Sequence, residues 1–148
     1  MPGRMNGKQS SGYIELIQAI ELLSIRTMSL SYKTYDKSNL SEQHGSVNVR
    51  KGSIELDEKN KILNCNVGFD IAIEAEKNQA FFKMNLQYML EFRVKEVEVV
   101  KSVLSNEETL EFFSNRQLVR LAWSYVRNEL SHALASSGHV FVPLPLLK

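Results

Sequence analysis

Two consecutive runs of alternating apolar and polar residues constrain the fold of this chain most strongly. Every odd position from residue 63 to residue 75 is apolar, and most even positions are polar. Residues 80–94 repeat the alternation with the opposite parity. Because successive side chains of a strand point to opposite faces, each run predicts a half-buried strand. The short connection at residues 76–79 predicts an antiparallel hairpin, whose apolar face helices or a second subunit must cover.

The residues before this hairpin predict one helix and two further strands. Apolar residues recur at helical spacing over residues 13–23 and at strand spacing over residues 24–35. Residues 36–46 have the composition of a loop. A weaker alternation over Val47–Asp57 predicts another strand, in which the isolated Gly52 indicates a bulge or a close approach of neighbouring chains.

The residues after the hairpin predict two helices. Ser105, followed three residues later by Glu108, matches a capping box and predicts a short helix over residues 106–113. The last helix is predicted over Gln117–Ser137, with Gly138 as its C-cap. Its apolar stripe is wider than one sheet face needs, so the helix is either buried within one domain or packed between its own sheet and a neighbouring subunit. The stripe consists of Val119, Trp123, Val126, Leu130 and Leu134.

Length and composition exclude several classes of protein. A length of 148 residues predicts a single domain over residues 13–148, preceded by a disordered polar tail at residues 1–12. No segment approaches the roughly 18 consecutive apolar residues of a membrane span, and no secretory signal is recognisable, so we expect a cytoplasmic protein. The net charge of +1 argues against nucleic-acid binding and leaves self-association unopposed.

No group of residues indicates catalysis, a cofactor or a metal. The three histidines are isolated from one another in the sequence: His44, His132 and His139. Asp70 and Glu74 share one strand face about 13 Å apart, which is typical of a solvated polar face. An enzyme would require these carboxylates to meet a histidine in three dimensions. Cys65 lies on the apolar side of its strand, which predicts a buried, inert thiol.

A surplus of apolar side chains is the distinctive feature that remains. Phe81 and Met89 lie on the polar side of the second hairpin strand, and Met28 lies on the first predicted strand. Residues 139–148 are mainly apolar and contain two prolines, which predicts an extended strap. Flexible methionine and aromatic side chains suit a surface that accepts varied partners, and a connected patch of them would indicate a binding site.

The order of these elements resembles the SecB family of export chaperones. Residues 123–127, WSYVR, are similar to the family's aromatic-x-Tyr-x-Arg helix segment. Residues 141–146, FVPLPL, are similar to the aromatic, proline and leucine stretch that follows this helix in the family. The hairpin occupies the place of the family's two central strands. The resemblance covers residues 24–147 and implies an α+β fold, in which helices pack on one face of a four-stranded antiparallel sheet.

The resemblance also implies a function and an assembly. Members hold unfolded, non-native polypeptides in an apolar groove without ATP, and they form homotetramers, built as dimers of dimers, with the long helices at the interface. The chain would then be a holdase for protein export or antitoxin protection, with the helix stripe at its subunit interface. The implied groove points to these client-binding residues: Met28, Leu30, Phe81, Met89, Phe141 and Leu144.

Three departures from the export members affect the choice of partners. Export members are strongly acidic and dock the SecA motor through an acidic sheet face and a C-terminal tail, whereas this chain is nearly neutral. The family's second helix and tail have no counterpart here, which puts SecA docking in doubt. The predicted helix 13–23 is more similar to SecB-like chaperones associated with toxin–antitoxin systems, or to orphan members. The alternative function is an adaptor on the same fold with one specific partner.

Overall fold

The computed structural model describes residues 7–35, 44–75 and 79–136, with the side chains of these ranges except 7–11, 75 and 79–81. A π-helical turn at Ser114–Leu118 joins the last two helices. The elements, in chain order, are α1 (Gly7–Ala19), β1 (Ile20–Thr34), β2 (His44–Asp57), β3 (Ile62–Ala75), β4 (Gln79–Val94), α2 (Val97–Leu104), α3 (Glu107–Phe113) and α4 (Val119–Ser136).

The four strands form one antiparallel sheet with the order β1-β4-β3-β2. The predicted hairpin is confirmed as the central pair β3–β4, in which Phe69 lies opposite Leu86 and Cys65 lies opposite Leu90. This register places the apolar positions of both strands on one face of the sheet, where they are buried. Strands β1 and β2 form the two edges.

The helices cover the apolar face of the central strands. Phe113 at the end of α3 packs against Phe92 of β4, with ring centroids 5.9 Å apart. Trp123 of α4 packs against Phe69 of β3 at 6.1 Å. A single hydrophobic core therefore lies between the helices and one side of the sheet, which confirms the α+β architecture expected from the sequence.

The junction of α1 and β1 differs from the prediction. Helical spacing continues to residue 23, but α1 ends at Ala19 and β1 begins at Ile20 without an intervening loop. Strand pairing decides this boundary, because Ile20 lies opposite Val94 in the ladder with β4 and tertiary contacts override a local helical pattern. At its other end α1 starts at Gly7, inside the segment predicted as a tail. Residues 1–6 lie outside the described residues.

Further along the chain, the structure differs from the prediction at α2 and at the start of α3. The sequence pattern does not predict α2, a helix of eight residues between β4 and α3. The cap of α3 is not Ser105, whose hydroxyl donates to the Ser102 carbonyl oxygen at 2.7 Å. Instead Asn106, in extended conformation, accepts the Thr109 N–H through Oδ1 at 3.1 Å. The helix therefore starts one residue later than the capping box suggests.

The glycine prediction in β2 is confirmed. Gly52 lies within the register shift between Lys51 and Ile54, and a Cβ atom there would come within 2.5 Å of the Asn66 carbonyl oxygen. Only glycine allows the two backbones to approach so closely. Most of the predicted loop at 36–46, together with Gly138 and the strap at 139–148, lies outside the described residues.

The cap of α3 generates a first prediction. We expect Asn106→Ala to lower the free energy of unfolding by about 1 kcal/mol, because the Thr109 N–H loses its acceptor. Ser105→Ala, one residue away, is the matched control and should cost less than about 0.5 kcal/mol. Urea unfolding monitored by circular dichroism measures both values. A larger loss for Ser105→Ala would show that the capping box, and not Asn106, starts the helix.

Candidate binding surface

One edge of the sheet exposes apolar side chains on the face that the helices cover elsewhere. Leu30 and Tyr32 of β1 lie opposite Leu86 and Met84 of β4, so they point to the helix side. The two β4 side chains are fully buried, whereas Leu22, Leu30 and Tyr32 are 38–43% exposed. The helical layer therefore covers β3, β4 and the first residue of β1, Ile20, but leaves most of β1 open to solvent.

Other exposed apolar groups adjoin this strand. Met28 lies at a register shift between Thr27 and Ser29 and is 52% exposed. Tyr125 of α4 is 46% exposed, and its ring lies 6.3 Å from that of Tyr88, the residue opposite Thr27. We define the β1 surface as the exposed apolar side chains of this strand and its neighbour on α4: Leu22, Leu23, Met28, Leu30, Tyr32 and Tyr125.

The backbone of β1 adds hydrogen-bonding capacity to this surface. β1 is an edge strand that pairs with β4 on one side and with no other described strand on its second side. The N–H and C=O groups on that second side can pair with an added extended chain. The β1 surface thus combines apolar contacts with a template for strand addition.

The opposite face of the sheet has a different character. Asp70 accepts a 2.8 Å hydrogen bond from Arg50 Nε, and Glu91 is paired with Arg26. These ion pairs join neighbouring strands, and their side chains remain partly exposed. Acidic and basic groups thus alternate on this face, which lacks the uniformly acidic character expected of a SecA-docking sheet.

The structure places the predicted client-binding residues in different locations. Met28 and Leu30 belong to the β1 surface. Met89 lies on the opposite sheet face, where its sulfur accepts from Arg26 Nη2 at 3.6 Å, so it does not join them. The side chains of Phe81, Phe141 and Leu144 lie outside the described set.

Four members of this surface are not predicted from the sequence. Leu22 and Leu23 fall within the helix predicted over residues 13–23, and their exposure on the sheet depends on the earlier start of β1. Tyr32 falls within a predicted strand, but its exposure depends on which strands the helices cover. Tyr125 falls within the predicted last helix, and only its ring contact with Tyr88 of β4 places it near β1.

The predicted interface stripe of the last helix lies inside the chain's own core. Its five side chains are 0–7% exposed. They are Val119, Trp123, Val126, Leu130 and Leu134. Burial within one domain therefore accounts for the width of the stripe. A subunit contact at this helix would have to use its exposed side chains, which lie beside the stripe.

The carboxylate of Asp70 takes part in an ion pair with Arg50, on a partly exposed sheet face. Among the described residues, no three His, Cys, Asp or Glu side chains converge in a way that could hold a metal ion. No described helix has the length and apolarity needed to cross a membrane.

Comparison with known proteins supports the fold. No protein-family model and no curated protein sequence matches the chain. A solved structure does match, that of the SecB-like chaperone Rv1957 of Mycobacterium tuberculosis in complex with a ChAD peptide from the HigA1 antitoxin, Rv1956. The TM-score is 0.75 at 10% identity, over 93% of this chain and 97% of that one. The chain therefore has a SecB-like fold, as its sequence resemblance implies.

The buried thiol of Cys65 generates a pH prediction. Burial raises the pKa of this thiol from 9.0 to about 12. Because the unfolded chain loses the thiol proton first, we expect the free energy of unfolding to fall as the pH rises from about 9 to about 12. Urea unfolding across this interval measures the fall, which should be shallower for Cys65→Ala. Equal slopes for both proteins would contradict the assignment.

Proposed function

We propose that this chain is an ATP-independent chaperone that binds non-native polypeptides along the β1 surface. The observation that carries this proposal is the exposure of Leu22, Leu30 and Tyr32 on a sheet face that is fully buried one strand away. A folded domain that leaves such side chains beside an unpaired strand edge has the features of an interaction site. The structural neighbour's complex with an antitoxin peptide supports a polypeptide ligand.

The physical basis of binding would be strand addition combined with apolar burial. An extended client segment would pair its backbone with the free side of β1, independently of the client's sequence. Every second client side chain would then point to the helix side, where Leu30, Tyr32 and Tyr125 are exposed. Burial stabilises such a complex by about 25 cal/mol per Å² of apolar surface. The selected clients would therefore be unfolded segments with alternating apolar residues.

We propose a homotetramer, built as a dimer of dimers, as the active assembly. One β1 surface offers a short contact, and several such surfaces acting on one long unfolded chain would raise its overall affinity by effective concentration. The near-zero net charge leaves such self-association unopposed. Neither ATP nor another cofactor has a role in this scheme, because binding and release depend only on client folding.

The sheet face opposite the helices carries mixed charge, and this argues against delivery of clients to SecA. The pairs Arg50–Asp70 and Arg26–Glu91 give this face no acidic excess for a basic docking partner. We therefore favour antitoxin protection or general holding of clients over SecA-dependent export. We also propose a cytoplasmic location, where Cys65 stays reduced.

A second function is an adaptor that binds one specific partner through the same surface. The single antitoxin peptide in the neighbouring structure favours it. A panel of unrelated unfolded polypeptides separates the two functions, since a holdase binds many of them and an adaptor binds one.

The holdase function predicts that the β1 surface suppresses aggregation. We expect the double variant Leu30→Ser, Tyr32→Ser to bind a permanently unfolded client about tenfold more weakly, because partial burial of two such side chains contributes on the order of 1–3 kcal/mol. Reduced, carboxymethylated α-lactalbumin is a suitable client for calorimetry, and light scattering of a heated enzyme measures aggregation.

The matched control is Lys33→Ser, which truncates an exposed side chain on the opposite face of the same strand. It should bind the client like the native chain. Each variant must also have a native-like circular dichroism spectrum, which shows that it is folded. Failure of the native protein to suppress aggregation at a stoichiometric ratio would contradict the holdase function.

The assembly is tested by the mass in solution. Light scattering coupled to gel filtration should give a mass near four times the chain mass of 16.9 kDa. The value should be unaffected by about tenfold dilution in the micromolar range, since an obligate interface does not dissociate there. A monomer would exclude the proposed tetramer.

A further inference from the structure

Two buried polar atoms near the β1 surface lack a hydrogen-bond partner within the described residues. They are the hydroxyl of Tyr88 and Nε1 of Trp123. The ring of Phe69 lies 6.1 Å from each of the two aromatic rings. Buried hydrogen-bond donors in folded proteins nearly always have an acceptor. Two donors without an acceptor in the same aromatic cluster therefore require a physical explanation.

Tyr88 lies on β4, one strand away from the open edge of the sheet. Tyr88 points to the helix side of β4, and its ring is in edge contact with that of Tyr125 at 6.3 Å. Tyr125 is itself half exposed on α4. On β1, Thr27 lies directly opposite Tyr88 on the same sheet face and is exposed. Tyr88 is therefore separated from solvent by a single layer of side chains.

The burial of Tyr88 keeps its hydroxyl protonated. Burial, and secondarily the negative charge of Glu129, raise the pKa of Tyr88 to about 12. Glu129 lies one helical turn after Tyr125, on the same side of α4. Tyr88 is thus a hydrogen-bond donor throughout the physiological pH range, and an incoming acceptor would find its proton in place.

We propose that the Tyr88 hydroxyl donates a hydrogen bond to the side-chain amide of an Asn or Gln in a polypeptide bound on the β1 surface. This inference rests on the proposed function. In an extended segment added to β1, backbone carbonyls lie in the plane of the sheet, while alternate side chains point to the helix side. A side chain entering between Thr27 and Tyr125 would therefore be the group that reaches Tyr88.

Access requires Tyr125 to move aside. Exposed side chains change rotamer within nanoseconds, so this movement presents no barrier to binding. An amide oxygen then satisfies a donor that has no acceptor among the described residues, whereas an apolar side chain of the same size leaves it unpaired. The surface would thus prefer apolar segments that carry an Asn or Gln at one inward-pointing position.

A thermodynamic cycle with two peptides and two proteins tests the proposal. The peptides alternate leucine and serine and carry, at the central apolar position, either Gln or the similarly shaped Met. We expect the ratio of Gln-peptide to Met-peptide affinity, measured by calorimetry, to be about three- to tenfold higher for the native protein than for Tyr88→Phe. Equal ratios for the two proteins would overturn the proposal.

Stability provides the second measurement. Tyr88→Phe removes a hydroxyl that has no partner among the described residues, so its thermal midpoint should equal or exceed that of the native protein. A lowered midpoint would show that the hydroxyl is already satisfied in the free protein and would overturn the premise. Tyr13→Phe is the matched control, since its hydroxyl donates to Gln117 Oε1 at 3.4 Å, between α1 and the π-helical turn. It should leave the affinity ratio unchanged.

The two proposals fail in different ways. If both peptides bind and the ratio of their affinities is the same for the native protein and for Tyr88→Phe, the β1 surface binds polypeptides but the amide contact does not exist. If neither peptide binds the native protein, the proposed function itself is wrong, and the amide contact is excluded with it.

Discussion

The apolar face of the central hairpin is the constraint on which the rest of the structure depends. Two long strands with their apolar side chains in register produce a ribbon that cannot exist in water without a cover. The helices supply that cover through aromatic contacts such as Phe92–Phe113 and Phe69–Trp123. The wide stripe on α4 and the position of the π-helical turn both follow from the need to reach these two strands.

The limited width of the helical layer leaves most of β1 exposed, and the proposed function depends on this exposure. The helices bury the side chains of β3 and β4, while the same face of β1 remains open. A domain selected only for stability would cover or shorten this edge, since exposed strand edges favour aggregation. Under the proposed function, the properties that make a strand edge hazardous are those that a client-binding surface needs.

Features that depend on local geometry could be predicted from the sequence, whereas features that depend on contacts between distant residues could not. The hairpin was predictable because alternation with period two depends only on local geometry. The start of β1 at Ile20 was not, because residues 20–23 also fit a helix and their pairing with β4 is a long-range contact. Helix α2 and the cap at Asn106 were missed for a related reason, since short helices form mainly through tertiary packing. Met28 and Leu30 were predicted, whereas the other four members of the β1 surface required the strand order: Leu22, Leu23, Tyr32 and Tyr125.

The sequence by itself determined the central hairpin, the long last helix and the buried thiol of Cys65, because these follow from periodicity and apolar content along the chain. The α+β class was implied by the resemblance to the SecB family. The tertiary structure decided which strand would be left uncovered and which side chains would meet there. The orphaned hydroxyl of Tyr88 illustrates the difference, since a tyrosine on the apolar side of a strand looks like any other core aromatic. Only the packing of α4 over β4 shows that its oxygen lacks a partner among the described residues, because hydrogen bonding depends on distances between residues that are remote in sequence.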